Sequence, residues 1–401
     1  MYQRGGEISR RYRVEIDDTT GIVDTFRWSI DDETTWVATG VPITGISHSL
    51  NSGVTVTFGA TTGHIVGDAW QIDAGMLQAT SVAIKGSSTI VSYSMIGAPF
   101  LGALRVYRTF FGFPFLRSQA LFRDMDVNAV TVSGNKVYAV GAREPAVPPH
   151  AATLEVLQLS GSRLLLGGGG QATLTSYAAT SVMHDPDWST IYTTSGNGGG
   201  LTALDDTTLL QSSFDPLSDA RWVDSELDTL VVVRGGNADG VNGSIDVFST
   251  AVGGVPTFVN SFGFTGADIV ESKSTAEIVG GKAFISAGSG GAQVLSTFTG
   301  VLLDSVPNPT VTGLLPAEVV ANAVTIDNDL MFISNGEAGV YVAQADEDFD
   351  RSGPDGPVSL TLLGKLQFGV DQSVNHVAFK NNYLYIASGL GGLKIVRVTS
   401  P

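Results

Sequence analysis

The chain has 401 residues, 49 of them glycine, with no cysteine and only 15% charged residues. That composition excludes a disulfide framework, a thiolate metal site, a cysteine nucleophile and a charge-rich coiled coil. A formal net charge of −17 argues against nucleic acid as the main partner.

The N-terminus, MYQRGGEISRRYRVEID, is basic but no apolar run follows it, so no secretory signal peptide is expected. Residues 1–75 read as a small β-domain. Val54, Val56 and Phe58 alternate with Thr55 and Thr57, the period of a half-buried strand. Gly40, Gly53 and Gly67 punctuate turns. The segments YRVEID, DTFRWS, NSGVTVTFGATTGH and GDAWQID, in that order, resemble a small β-domain of phage tail and virion proteins and of large bacterial surface proteins. The resemblance implies a structural role and no catalysis. Next, Gly86 to Leu104 forms 19 uncharged residues, close to the ~20 of a spanning helix. Four serines, three glycines and Pro99 within it argue for strands and against a membrane span.

From residue 76 to 401 one phrase recurs: a short apolar strand, a polar turn such as SGN, DND or KNN, a β-branched or aromatic strand, and a glycine. It ends at Gly97, Gly141, Gly196, Gly235, Gly288, Gly336 and Gly389. A third strand follows each turn and a fourth follows most. Four strands at a spacing of about 40–50 residues are the signature of propeller blades. The fold class expected is therefore all-β: a seven-bladed β-propeller (76–401) preceded by the small domain (1–75). The first strands should begin near Ser81, Ala129, Ser181, Arg221, Glu277, Ala323 and His376. Stacked sandwiches would need units nearer 100 residues. Asn381 to Val398 (NNYLYIASGLGGLKIVRV) and Asp329 to Val342 (DLMFISNGEAGVYV) resemble the LVIVD-type repeat of bacterial and archaeal propellers, which implies a fold more than an activity. The aspartate that closes the third strand in that family is largely missing; only Asp205 and Asp246 sit near such positions.

Charge is unevenly spread. Residues 74–123 hold Lys85, Arg105, Arg108, Arg117 and Arg123 and no acid, whereas residues 124–401 hold 12 Lys/Arg against 29 Asp/Glu. Blade 1 is also aromatic: Phe100, Tyr107, Phe110, Phe111, Phe113, Phe115 and Phe122. One reading makes the rings blade core and the arginines a cover for the seam to the small domain. The other makes Arg105, Arg108, Phe110, Phe111, Phe113 and Arg117 a docking surface, because aromatics with arginine are what interface cores prefer.

Catalytic constellations are sparse. The five histidines, His48, His64, His150, His184 and His376, show no metal-ligand spacing. His184 and His376 occupy first strands, where a channel pair is the candidate metal arrangement and polar channel lining the plainer one. HDPDW at 184–188 reads as a turn, no serine sits in a G-x-S-x-G elbow, and the glycine runs 167–170 and 198–200 read as turns. Asp346, Asp348 and Asp350 alternate as calcium ligands do, with calcium the candidate ion. The loop lacks the EF-hand glycine and glutamate positions, so a solvated acidic hairpin is the competing reading. Arg234 to Ser244 forms a similar, weaker loop.

These features point to a non-enzymatic structural or adhesive protein of a phage tail or virion, extracellular or virion-borne and without a cofactor. Its partners would be other protein subunits, copies of itself or a host-surface receptor. The alternatives are a fragment of a secreted bacterial cell-surface propeller and a propeller enzyme with a channel-mouth site. Blade 7 has no fourth strand in its own sequence, and Asp68 to Asp73 (DAWQID) is the expected donor, in competition with its use in the small domain.

Overall fold

The computed structural model describes residues 10–30, 35–50, 54–74, 77–95, 100–144, 151–236, 242–267, 273–369 and 372–399. Within them each repeated phrase becomes an antiparallel sheet, because its apolar strands alternate at period 2 and its turns carry residues that tolerate positive φ, such as Asn328, Asn381 and Gly134. Seven sheets follow one another from Leu77 to Arg397 among the described residues. Six are four-stranded and the seventh, His376–Lys380, Tyr383–Ala387 and Leu393–Arg397, is three-stranded. Their first strands are Leu77–Lys85, Met125–Ser133, Ser181–Asp185, Ala220–Glu226, Ala276–Val279, Ala323–Asp327 and His376–Lys380. Each neighbours the next in order and the last neighbours the first, which closes a ring of propeller blades.

The hydrophobic core is divided among the seams between blades. Ile90, Leu104 and Val106 of blade 1 pack on Val130, Val137 and Ala139 of blade 2, and equivalent clusters recur around the ring. Side chains at the start of the first strands also stitch each blade to the next. Thr80 Oγ1 donates to Val127 O (2.7 Å), Asn128 Nδ2 to Ala179 O (2.9 Å) and Thr180 Oγ1 to Ala220 O (2.9 Å). Arg221 Nη1 donates to Ser274 Oγ (3.2 Å), and Val324 N donates to Thr275 Oγ1 (3.1 Å). Asn322 Nδ2 donates to Val374 O (3.1 Å) and Asn375 Nδ2 to Ala79 O (2.9 Å), completing the circle. The phrase-ending glycines add a backbone bridge at four seams: Gly196 to Ala220, Gly288 to Ala321, Gly336 to Val374 and Gly389 to Ala79.

The ring therefore closes at the blade 7–blade 1 seam with the junction used elsewhere, supplemented by Tyr93, Tyr385, Tyr107 and Tyr383 packed together. The expected donor strand does not serve blade 7. Ala69–Ala74 pairs with Arg10–Asp18, in register from Arg10 opposite Ala74 to Glu15 opposite Ala69. Trp70 and Ile72 are engaged in the small unit's own core, Ile72 against that core and Trp70 against Phe58 at 5.7 Å. A second surprise is the glycine run 167–170. It lies inside the outer strand Arg163–Thr173, where Gly167 to Gly169 belong to a bulge opposite Leu157 and a Cβ on Gly169 would stand 1.7 Å from Val156 O.

The chain divides into two compact units: among the described residues the smaller holds Arg10 to Ala74 together with Met95, and the larger holds the rest from Leu77 onward. The smaller has a sheet of Trp36–Pro42, Thr25–Ser29, Arg10–Asp18 and Ala69–Ala74, and a short hairpin of His48–Ser49 with Thr55–Val56. Tyr12, Val14, Ile16, Phe26 and Phe58 form its core. Gly86 to Leu104 contributes strands to blade 1, and no helix among the described residues is long and apolar enough to cross a membrane.

Candidate interaction surface and the central channel

The outer hairpin of blade 1 joins Gly102–Phe110 to Phe113–Phe122 through the two residues Phe111 and Gly112. Both have positive φ, 50° and 80°, the geometry whose twist matches a hairpin. Glycine at 112 is also required sterically, since a Cβ would stand 2.6 Å from Tyr383 Cε1. Phenylalanine at 111 adopts a conformation that bulky residues avoid, and its ring meets Phe110 edge-on at 4.7 Å.

Strand alternation then divides the sequence-predicted residues. Leu104 and Val106 face blade 2; Arg108 and Phe110, at the same parity, continue that face outward into solvent. Phe113 lies opposite Phe110, and Phe115 opposite Arg108. Phe110, Phe113 and Phe115 are 58%, 69% and 58% exposed, so with Arg108 they form one surface patch rather than blade core. Phe122 packs in the seam with blade 2 and Tyr107 in the seam with blade 7. Arg105 separates from the patch: its guanidinium lies 4.8 Å over the Tyr93 ring, and Tyr93 and Tyr107 hydroxyls are 3.2 Å apart. Arg117 is the extra residue of a bulge between Leu116 and Ser118 and is exposed. Of the six predicted residues, the structure thus groups Arg108, Phe110 and Phe113, with Phe111 at the turn. Phe115 joins them; its signal was its place two residues after Phe113.

The two first-strand histidines go to different places. His184 stacks on Tyr138 at 5.0 Å and its Nε2 lies 3.1 Å from Asp206 Oδ2. His376 lies 5.3 Å from the Trp222 ring, and its Nδ1 accepts from Val82 N (3.4 Å). Burial, with the Lys273 charge, pushes the His376 imidazole down to about 3. Asp224 and Glu277, which carried no motif, are turned onto the next blade: Asp224 Oδ2 accepts from Ile278 N (2.9 Å) and Glu277 Oε2 from Ile326 N (3.0 Å). Burial pushes these carboxyls up to about 7 and about 8. Asp185 Oδ1 accepts from Asp187 N (2.9 Å), so HDPDW is a side-chain-capped turn.

The acidic loop is organised around an ammonium. Lys282, fully buried, donates to Phe349 O (2.9 Å) and Ser352 O (2.6 Å). Asp348 pairs with Arg351 at 2.9 Å, while Asp346 and Asp350 are exposed. A cavity of about 210 Å³ borders the loop. Asp346, Asp348 and Asp350 do not converge, and among the described residues no group of three His, Asp or Glu is placed to hold a metal. Burial lowers the Lys282 pKa. His150 and part of the Arg234–Ser244 loop lie outside the described residues. In the small unit, His64 is held structurally: its backbone N and Nδ1 lie 3.0 and 2.9 Å from Asp24 Oδ2.

No known family's sequence pattern matches the chain, and no curated protein matches it. Solved structures do. Hydrazine synthase of Kuenenia stuttgartiensis superposes with a TM-score of 0.57 at 12% identity, over 81% of this chain and 96% of that one. The WD40 repeats of RRP9 give 0.54 at 12% identity, over 79% and 88%. BamB from Moraxella catarrhalis gives 0.49 at 15%, over 88% and 96%. At 12% identity the first two share a fold with this chain and nothing further is implied. The chain is an all-β protein with a β-propeller.

Proposed function

We propose that this chain is a non-enzymatic interaction protein of a phage tail or virion, in which the propeller presents the blade 1 hairpin to partner subunits. The observation that carries this reading is the exposed patch of Phe110, Phe113, Phe115 and Arg108. Phenylalanine rings left in water at the tip of a blade are costly for an isolated chain and favourable once covered. The small domain's resemblance to virion and surface-protein modules supports the same reading. A secreted bacterial surface protein would use the same patch.

The test is sedimentation velocity and particle reconstitution with Phe110→Ser/Phe113→Ser/Phe115→Ser. The reading expects the variant to fold with wild-type stability and fail to assemble. Wild-type assembly by the triple variant would refute it.

A further inference from the structure

Blade 7 carries the anomaly in the ring. Its outermost described strand, Leu393–Arg397, is bonded inward to Tyr383–Ala387, and Val398 N donates to Asn382 O (2.8 Å). The outward row of backbone N–H and C=O groups has no described partner. In the other six blades a fourth strand occupies this place.

The neighbouring blades form walls beside the gap. From blade 1, Leu116 lies opposite Tyr107, a residue of the blade 7 seam, and is 53% exposed. From blade 6, Leu366 lies opposite Val340, which packs in the seam with blade 7, and Phe368 packs there too. Lys394 reaches over the Phe368 ring at 5.9 Å, and Arg397 is exposed.

Charge marks the same sector. Residues 357–401 hold Lys365, Lys380, Lys394 and Arg397 against one acid, Asp371, and residues 74–123 hold five bases and no acid. The remainder of the chain, residues 1–73 and 124–356, holds 13 bases against 38 acids. Blade 7 with the outer strand of blade 6 and blade 1 thus carries nine bases and one acid in an otherwise acidic chain, and the open edge lies between the outer strands of blades 6 and 1.

We infer that the edge of Leu393–Arg397 takes an extended acidic segment of a partner protein as the fourth strand of blade 7. Backbone groups supply the pairing. Apolar side chains on the segment's two faces pack against Leu116 on one side and Leu366 and Phe368 on the other, and an acidic residue on each face meets Arg397 on the blade 1 side and Lys394 on the blade 6 side. Edge-to-edge pairing of two copies is disfavoured, because it sets Lys394 and Arg397 against like charges. This inference rests on the interaction role proposed above but uses a different surface.

The experiment uses the full chain and a fluorescein-labelled, amidated nine-residue peptide, Val-Val-Glu-Glu-Val-Val-Glu-Glu-Val, which sets both valine and glutamate on each face of the strand. Controls are the valine–lysine peptide and a version with proline at alternate positions. Anisotropy should show salt-sensitive binding of the glutamate peptide, weakened about tenfold or more by either control and by Lys394→Glu/Arg397→Glu. Exchange of the outward-facing amides of Ile395 and Arg397 should slow on binding. Equal binding of the lysine peptide, or unchanged exchange of these two amides, overturns the inference. So does their slow exchange in the free protein: independent of concentration it means the chain covers its own edge, and rising with concentration it means a second copy does. The Phe110/Phe113/Phe115 variant should bind the peptide normally, so failure of the hairpin reading and failure of this one are separable.

Discussion

Replacing Asn375 by alanine tests whether side-chain stitching holds the ring closed. The Asn375 amide is buried and donates to the carbonyl of Ala79, itself fully buried. The substitution removes that bond and leaves a buried carbonyl short of a donor, a cost of about 1–3 kcal/mol. At roughly 2 °C per kcal/mol for a chain of this size, the melting temperature should fall by about 2–6 °C. The control is Asn128→Ala, which removes the same bond, to the buried Ala179 O, at the blade 2–blade 3 seam. If closure uses the ordinary junction, the two variants should lose similar stability and both should keep a single transition in urea. A loss under about 0.5 kcal/mol for Asn375→Ala would refute the stitching argument. An early, separate transition confined to that variant would show that the blade 7–blade 1 seam is a weak link, and hence that the shared junction does not close the ring.

Glu277 is held protonated by burial up to about pH 8, whereas its ordinary value is 4.5. The folded state therefore binds more protons between these values, and its contribution is present below 4.5 and lost as pH rises toward 8; urea titrations should show Glu277→Gln flattening the decline. Lys282→Met should release the loop from Asp346 to Gly356 by removing two charge-assisted bonds, at a cost of about 1.5–3 kcal/mol each, and trypsin should cut faster after the exposed Arg351. Unchanged cleavage would mean that Lys282 does not order the loop. Gly112→Ala should destabilise blade 1 by about 1–3 kcal/mol through its positive φ and its clash with Tyr383. Adding Tyr383→Ala should be less than additive if the clash is real; strict additivity would assign the whole cost to φ.

The amino-acid sequence alone determined the local elements. Apolar alternation, asparagine- and glycine-bearing turns and a spacing of about 40–50 residues are short-range properties, so five first strands start within one residue of the expected position, and those of blades 1 and 2 start four residues earlier, at Leu77 and Met125. Pairing across long separations was decided by the tertiary structure. DAWQID fits blade 7 or the small unit equally well by pattern, and its pairing with Arg10–Asp18 follows from the aromatic core that Trp70 and Ile72 join. The acidic loop carries a calcium-like pattern, but Lys282, 67 residues from Phe349, brings its ammonium to the loop's carbonyls, which spacing along the chain cannot reveal. Exposure is equally non-local: phenylalanines at 110, 113 and 115 look like core by composition. They reach solvent because the hairpin extends the blade 2-facing surface beyond the residues that pack in that seam.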